Sequence, residues 1–164
     1  MDLIDSQSRK AGGSDRLLRA ARLGNARSIT ARAEDWARVP PPLGGREAYD
    51  AVTARALAPL AVLAEYASPL LAEDGVLVAW KGARDEHEER AAEVVAERLA
   101  MRVVEVRRVQ PFAGARNRHL HLLRKAGPTP EGLPRRTGIA RKRPFGGGSG
   151  GSAPNEGGSD RAQS

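Results

Sequence analysis

The sequence contains no cysteine, which excludes disulfide scaffolds, thiolate metal sites and cysteine nucleophiles. It also lacks an apolar run near the roughly eighteen residues that span a bilayer, and its first residues do not resemble a signal peptide. We therefore expect a soluble, cytoplasmic protein with no membrane partner. Aromatic residues make up only 4% of the chain and 28 residues are alanine, so the larger apolar side chains suffice for one core.

Positive charge is concentrated in one part of the chain. The formal net charge is +7, and the stretch from Arg107 to Arg143 holds eleven basic residues against one acidic residue, Glu131. That stretch alone carries +10, so the remainder is slightly acidic. Such segregation suits a polyanion, because each phosphate neutralised by Lys or Arg releases condensed counterions. A solvated basic tail is the alternative interpretation.

The apolar pattern alternates between short strand-like runs and helical ones. It predicts strands at 28–31, 51–54, 76–80, 103–108 and 119–123 and helices at 14–23, 59–71 and 85–100. The last two strands have no helix between them, so they should pair antiparallel at a sheet edge. Residues 73–75 are expected to form a turn. This alternation is typical of a doubly wound α/β sheet.

Three segments are expected along the chain. Residues 1–125 should form a compact domain, and residues 126–145 an irregular basic arm broken by Pro134, Gly138 and Pro144. Residues 146–164 are rich in glycine and serine with almost nothing to bury, so they should be a disordered tail.

In an open α/β sheet the ligand crevice lies beyond the carboxyl ends of the strands. Asp5 follows the short apolar run of Leu3 and Ile4, and it could accept hydrogen bonds from both hydroxyls of a ribose, or it could cap a helix. Glu34 could reach an adenine or start a short helix, and Arg55 could bind an anion or pair with Asp50. Their shared position at one edge favours a nucleotide-type ligand.

Other kinds of chemistry find little support. His119 and His121 share one face of a strand, but no third ligand lies nearby, so we interpret them as strand-face residues and expect no metal. His87 lies in a charged helix start and should be exposed. We find no G-x-S-x-G, Walker A or G-x-G-x-x-G motif, which leaves hydrolase interpretations without support.

Several segments, in order, resemble one family of proteins. LIDSQSRK, ARAEDWA, YDAVTARALAPLAVLAEYASPLL, GVLVAWKG, RHLHLLRK and TPEGLPRRTGIARKRPF are similar to the RsmG (GidB) family of guanine-N7 methyltransferases of small-subunit ribosomal RNA. The resemblance covers about residues 1–145. Several ordered motifs together are far more specific than any one of them.

The resemblance implies an enzyme with S-adenosylmethionine as cofactor and 16S ribosomal RNA, or the small ribosomal subunit, as partner. It implies a Rossmann-like sheet with a basic C-terminal arm, in a chain expected to be a monomer. The cofactor-binding positions it assigns are Asp5, Ser6 and Gln7 at the ribose, Ala33 and Glu34 at the adenine, and Arg55. The RNA-facing positions are Arg32, Lys81, Arg118, Arg135 and Arg136. No catalytic base is implied, because N7 of neutral guanine already carries a free lone pair.

The sequence also departs from the family. Relatives carry a helical region, a first strand and a glycine-rich turn ahead of the strand ending at Asp5, so we expect a truncated sheet lacking its first strand. The missing strand should leave a gap between the strand of Ile4 and that of Ala54. Gly12 and Gly13 lie where the family has a helix, Leu133 replaces an aromatic residue, and Ala140 replaces a proline.

Two further hypotheses remain open from the sequence. The first is a non-catalytic RNA-binding remnant that uses the basic stretch from Arg107 to Arg143, and it predicts salt-sensitive RNA binding without cofactor affinity. The second is an NAD-dependent oxidoreductase, which also uses an acidic residue after its second strand, but the basic arm and the lack of candidate catalytic acids argue against it. Cofactor binding separates them.

Overall fold

The structure is a computed structural model that describes residues 1–145, so the predicted tail at 146–164 lies outside the described residues. The strands are β1 (Asp2–Asp5), β2 (Arg27–Thr30), β3 (Tyr49–Arg55), β4 (Leu71–Lys81), β5 (Met101–Val109) and β6 (Arg118–Lys125). The helices are α1 (Ser8–Ala20), α2 (Ala33–Trp36), α3 (Leu60–Ala67), α4 (Glu86–Ala96) and α5 (Ile139–Lys142). Within this part of the chain, no helix combines the length and apolarity needed to cross a membrane.

The strands form two separate sheets, as the expected gap requires. β1 pairs with β2 in parallel, and the second sheet has the order β3-β4-β6-β5. β3 and β4 are parallel, whereas β6 runs antiparallel to both β4 and β5. Among the described residues β1 and β3 share no backbone ladder, so the prediction of a gap between them is confirmed.

Side chains connect the two sheets across this gap. The Tyr49 hydroxyl donates a hydrogen bond to Asp2 Oδ2 at 2.6 Å and accepts one from Trp36 Nε1 at 2.7 Å. Arg27 donates two hydrogen bonds to the same Asp2 carboxylate. These bonds, with burial opposing them, keep the pKa of Asp2 below its usual value. The amino ends of β1 and β3 therefore lie next to each other.

Most predicted elements are present, but several boundaries differ, and α3 ends at Ala67 rather than at Leu71. α1 begins at Ser8 rather than at Ser14 and passes through both glycines. β4 begins at Leu71, so the expected turn at 73–75 lies inside the strand as an irregularity, with Asp74 at a φ of 64°. There the pairing jumps from Tyr49–Leu71 to Ala51–Val76, because the extra residues of β4 bulge out of the ladder.

α3 lies at the centre of the core. One face, formed by Leu60, Leu63, Ala64 and Ala67, is buried, but Val62 and Glu65, which are not on that face, are also no more than 3% exposed. The first face packs with Leu77, Leu99 and Leu123 in one apolar cluster. Because α3 is buried on both faces, a second layer must cover the face that carries Val62 and Glu65. The C-terminal segment, residues 126–145, provides this layer.

Residues 126–145, expected as an arm, pack back on the domain. Leu133 is 8% exposed and belongs to the core cluster, and Ala140 is 1% exposed. Backbone groups of this segment bond to Arg46, Arg38 and Glu34. Leu133 and Ala140, which differ from the family pattern, thus lie in packing contacts. A smaller side chain at either position changes the surface that the segment presents to the domain.

Replacing Gly12 and Gly13 by alanine is expected to stabilise the protein by about 1 kcal/mol per substitution. Both glycines are helical, and a Cβ at either site would meet only the Arg16 guanidinium, at 3.9 Å. Urea unfolding followed by circular dichroism measures the gain. Gly44→Ala is the contrasting control, because its Cβ would lie 2.0 Å from the Val39 carbonyl oxygen and should destabilise. Loss of stability in both helical variants would contradict the prediction.

Candidate cofactor and nucleic-acid site

Apart from Arg135 and Arg136, the predicted site residues lie at or just beyond the strand ends along one edge of the two sheets. Parallel strands end there at Asp5, Thr30, Arg55 and Lys81, and the antiparallel strand β6 begins there at Arg118. The first residues of β1 and β3 are in contact, so the amino ends of the two sheets lie side by side. The edge at the carboxyl ends of the parallel strands is where open α/β sheets bind their ligands.

Asp5 has one carboxylate oxygen occupied and one open. Its Oδ1 accepts a hydrogen bond from the Gln7 backbone N–H at 2.8 Å, which shapes the turn into α1. Among the described residues, Oδ2 has no hydrogen-bond partner. Ser6 and Gln7 are exposed beside it. Asp5 thus does not cap α1, whose N-cap is Gln7 without a side-chain capping bond, and its Oδ2 is available for a hydroxyl group.

Ala33 and Glu34 form the first turn of α2. The Glu34 side chain is only 7% exposed, and its Oε1 accepts a hydrogen bond from Gly138 N at 2.8 Å. The carboxylate thus faces the C-terminal segment rather than the open edge. Because the backbone N–H groups of Ala33 and Glu34 lie in the first helical turn, they have no intrahelical acceptor. A ligand at the edge would meet backbone here.

Arg55 and Arg32 are exposed at this edge. Neither guanidinium forms an ion pair with any residue in the range 1–145. Asp50, the alternative partner of Arg55, lies at the opposite end of β3, five residues and about 17 Å away along the strand. Arg55 therefore has a free guanidinium beside Trp80, its neighbour in the β3–β4 ladder.

Lys81 is paired inside the protein. Its Nζ lies 2.5 Å from Glu88 Oε1, and the same oxygen accepts a hydrogen bond from Leu60 N at 2.6 Å. Both side chains of the pair are 21% exposed. This bridge ties the end of β4 to the starts of α3 and α4, so much of the Lys81 charge is neutralised. Arg118, near Gly82, is exposed and unpaired among the described residues.

A second charged cluster, which the sequence did not reveal, lies behind this edge. Glu89 on α4 accepts three hydrogen bonds from Arg84, at 2.9, 3.2 and 2.5 Å, and its Oε1 lies 2.9 Å from His121 Nε2. Arg84 above all, and His121 after it, lower the pKa of Glu89 to about 2. His121 Nδ1 is buried without a partner in the described part of the chain. The period of two in β6 places His121 on the same buried face as Leu123. This alternation is the one feature of the sequence that indicates a buried histidine in need of a polar partner.

The histidines occupy strand and helix surfaces. His119 Nδ1 lies 2.8 Å from the Gly82 carbonyl oxygen, and His87 is exposed on α4. Three or more His, Cys, Asp or Glu side chains placed to hold a metal ion do not occur together within residues 1–145.

The basic C-terminal pair is split between two environments. Arg135 is 21% exposed in its side chain and donates to both oxygens of Glu65, whereas Arg136 is exposed. Lys125, counted in the basic stretch, is completely buried. The stretch therefore presents fewer free cations than its composition indicates.

Together these residues give the edge an anion-compatible character. Free guanidiniums and open backbone donors lie beside one available carboxylate oxygen, and this combination can bind a ribose with an aromatic base. Within residues 1–145, no side chain at this edge is arranged as a nucleophile with its base.

Comparison with known proteins supports this interpretation. The model of the GidB family, described as rRNA small subunit methyltransferase G, matches residues 1–121. The ribosomal RNA small subunit methyltransferase G of Symbiobacterium thermophilum is 46% identical over 117 residues, which cover 71% of this chain and 46% of the relative. The protein of the same name from Pelotomaculum thermopropionicum is 41% identical over 144 residues, covering 87% of this chain and 59% of the relative. The chain spans about half the length of the curated relatives it matches.

Solved structures show the same fold. An rRNA methylase from Streptococcus thermophilus matches with a TM-score of 0.51 and 15% identity, over 77% of this chain and 73% of that one. TYW2 of M. jannaschii, in complex with AdoMet, matches with a TM-score of 0.53 and 16% identity, over 75% and 55% of the two chains. At this identity the likeness concerns the fold alone, and it confirms the expected Rossmann-like architecture.

Proposed function

Since this chain belongs to the rRNA small subunit methyltransferase G family, we propose that it provides the ribose, adenine and RNA-binding parts of a methyltransferase that acts on N7 of a guanine in small-subunit ribosomal RNA. The observation that carries the proposal is the family match over residues 1–121, which includes every strand end of the edge. A cytoplasmic location, as a monomer, accompanies this proposal.

Residues of the edge fit S-adenosylmethionine as cofactor. Asp5 Oδ2 is open to accept from ribose hydroxyls, with Ser6 and Gln7 exposed next to it. The backbone of Ala33 and Glu34 is assigned to the adenine, and Arg55 is assigned to the cofactor side of the site. For Glu34 the assignment rests on its backbone, because its carboxylate is bonded to Gly138.

The reaction needs alignment more than acid–base catalysis. When bound, S-adenosylmethionine supplies an electrophilic methyl group, whose bond to sulfur breaks as a bond to guanine N7 forms. N7 carries no proton in neutral guanine, so no base has to remove one. The task of this chain is to hold the nucleobase in line and to complement the charges around it.

For the RNA partner we propose the basic positions Arg32, Lys81, Arg118 and Arg136, with Arg135 in an indirect role because its guanidinium is paired with Glu65. Arg32, Arg118 and Arg136 are exposed and without carboxylate partners in the described residues, so they are suited to direct phosphate contact. Lys81 reaches the same edge, although Glu88 shares its charge.

Calorimetric titration of the chain 1–164 with S-adenosylmethionine tests the proposal, after circular dichroism has shown that the protein is folded. A fusion that carries the N-terminal portion of the Pelotomaculum relative ahead of Met1 is titrated in parallel and assayed for methyl transfer to small-subunit ribosomal RNA. Binding and transfer by the fusion support the proposal. A folded fusion that binds RNA but not the cofactor would favour the non-catalytic RNA-binding hypothesis.

Arg55→Ala is expected to weaken S-adenosylmethionine binding by about tenfold, because a free guanidinium at the edge is removed without disturbing an internal ion pair. Calorimetry on the fusion measures the change. Arg102→Ala is the matched control, since Arg102 is an exposed strand arginine at the far side of the sheet. Equal affinities of wild type and Arg55→Ala would contradict the assigned role.

A further inference from the structure

Arg135, in the middle of the C-terminal segment, forms an ion pair with a buried carboxylate, that of Glu65. Glu65 lies on α3, is 3% exposed and is surrounded by apolar residues of the core helix. Arg135 Nε donates to Glu65 Oε1 at 2.6 Å, and Arg135 Nη2 donates to Glu65 Oε2 at 2.5 Å. A buried carboxylate is tolerated only when it is paired and hydrogen-bonded, so this contact is hard to release.

Arg135 also organises its own segment. Its Nη2 donates to the Arg143 carbonyl oxygen at 2.9 Å, and its guanidinium carbon lies 3.8 Å from the ring centroid of Phe145. One side chain thus binds the buried carboxylate, a backbone carbonyl eight residues ahead and an aromatic face. A planar guanidinium can make these contacts together, whereas an ammonium cannot.

Further bonds fix the backbone on either side of Arg135. Arg38 donates to the Arg135 carbonyl oxygen at 2.8 Å, and Thr137 Oγ1 donates to Asp35 Oδ1 at 2.5 Å. The Gly138 N–H donates to Glu34. The segment is therefore held against α2 and α3 in a defined conformation.

The outer side of the segment shows the opposite character. Arg136, Arg141, Lys142 and Arg143 are exposed, and none forms an ion pair with a carboxylate of residues 1–145. They are free to neutralise phosphates, whereas the charge of Arg135 is already neutralised by Glu65. Arg135 and Arg136 are adjacent in the sequence, but only Arg136 has a charge that is available to a phosphate.

We propose that Glu65 and Arg135 are positioning residues that hold the segment 126–145 in its RNA-binding conformation, while Arg136, Arg141, Lys142 and Arg143 contact the RNA. This inference rests on the proposed function. Arg135 acts through its neighbours and does not touch RNA itself. An acidic side chain, Glu65, is accordingly required for binding a polyanion.

Two substitutions separate this role from simple electrostatics. Glu65→Gln removes a negative charge, so long-range attraction alone would tighten RNA binding. Loss of the Glu65–Arg135 contact, the anchor of the segment, would instead weaken it. Arg135→Lys keeps the positive charge, so a direct phosphate contact would survive, whereas the anchor is lost. We expect each variant to bind about tenfold more weakly than the wild type.

Filter binding of the full chain to small-subunit ribosomal RNA transcribed in vitro, over a series of salt concentrations, measures these affinities. Glu131→Gln in the same segment and Arg102→Lys at the far side of the sheet are matched controls, and both should bind within about twofold of the wild type. Arg136→Ala should reduce the salt slope by about one. Wild-type or tighter binding by Glu65→Gln, together with unchanged binding by Arg135→Lys, would overturn the proposal.

Hydrogen exchange distinguishes failure of this inference from failure of the proposed function. In Glu65→Gln and Arg135→Lys, the amides of Gly138 and Arg143 should exchange faster than in the wild type, with the rest of α3 still protected. If the wild type binds no RNA, the RNA-binding part of the proposed function fails, and with it the purpose assigned to the anchor. Faster exchange in that case would still support the anchoring contact, and unchanged exchange would overturn it.

Discussion

Lys125→Ala should lower the free energy of unfolding by about 4 kcal/mol, which is a large part of the stability of a small domain. The Lys125 side chain is completely buried at the end of β6. Its Nζ donates to the Ser68 carbonyl oxygen at 2.5 Å and to Thr129 Oγ1 at 2.9 Å, with Glu47 Oε1 at 3.7 Å. Truncation would leave a cavity and several acceptors without a donor.

Urea unfolding of the full chain measures this loss. Lys125→Met fills most of the space without supplying the hydrogen bonds, so its loss should be about half as large. Lys142→Ala is the matched control: it removes an equal charge from an exposed position and should change stability by less than about 0.5 kcal/mol. Equal unfolding midpoints for the two alanine variants would contradict a structural role of Lys125.

Acid should remove the stabilising contribution of Glu89. Its pKa in the folded protein is lowered from 4.5 to about 2 by Arg84 and then His121. A carboxyl group with a depressed pKa stabilises the fold above its unfolded pKa, so this contribution is complete above pH 4.5 and disappears as the pH falls to about 2. Because Arg84 is half exposed, screening reduces the effect to about 2 kcal/mol.

Comparison of the wild type with Glu89→Gln across this pH range provides the measurement. At pH 7 the variant should be less stable by about 2 kcal/mol, and the difference should shrink steadily between pH 4.5 and pH 2. Glu93→Gln on the exposed side of α4 should differ little from the wild type at every pH. A constant difference between wild type and Glu89→Gln would disprove the linkage to this carboxyl group.

The sequence predicts the strand and helix order well because periodicity reports local burial. Asp85, for example, caps α4 by accepting from the N–H groups of His87 and Glu88, as the acidic helix start indicates. The start of α1 was wrong because Gly12 and Gly13 argue against a helix, yet Ala11 and Leu18 bury against the first sheet. Packing outweighs an intrinsic cost of about 1 kcal/mol per glycine.

Charged residues were the least predictable part. Lys125 was counted among the cations available to a polyanion, although the alternation of His121, Leu123 and Lys125 along β6 places it on the buried face. Its acceptors come from distant elements that the sequence does not bring together. The same applies to Glu65, whose partner Arg135 lies 70 residues away.

The site residues illustrate the same distinction. Their common position at the sheet edge follows from strand order, so sequence reasoning found it. The Glu34 side chain bonds to Gly138 and the Lys81 side chain to Glu88. These bonds depend on tertiary packing, so they could not be predicted from the sequence. The individual binding roles stay predictions.

The divided sheet also determines how stability is distributed along the chain. Residues 1–30 form a local β-α-β unit whose strands pair only with each other within residues 1–145, and side-chain bonds of Asp2 hold it to β3. The apolar cluster around α3 lies on the other side of the gap. Opening of the first unit therefore exposes little of the core and requires less free energy than global unfolding. The half of the ligand edge that contains Asp5 thus belongs to the cooperative unit that unfolds first.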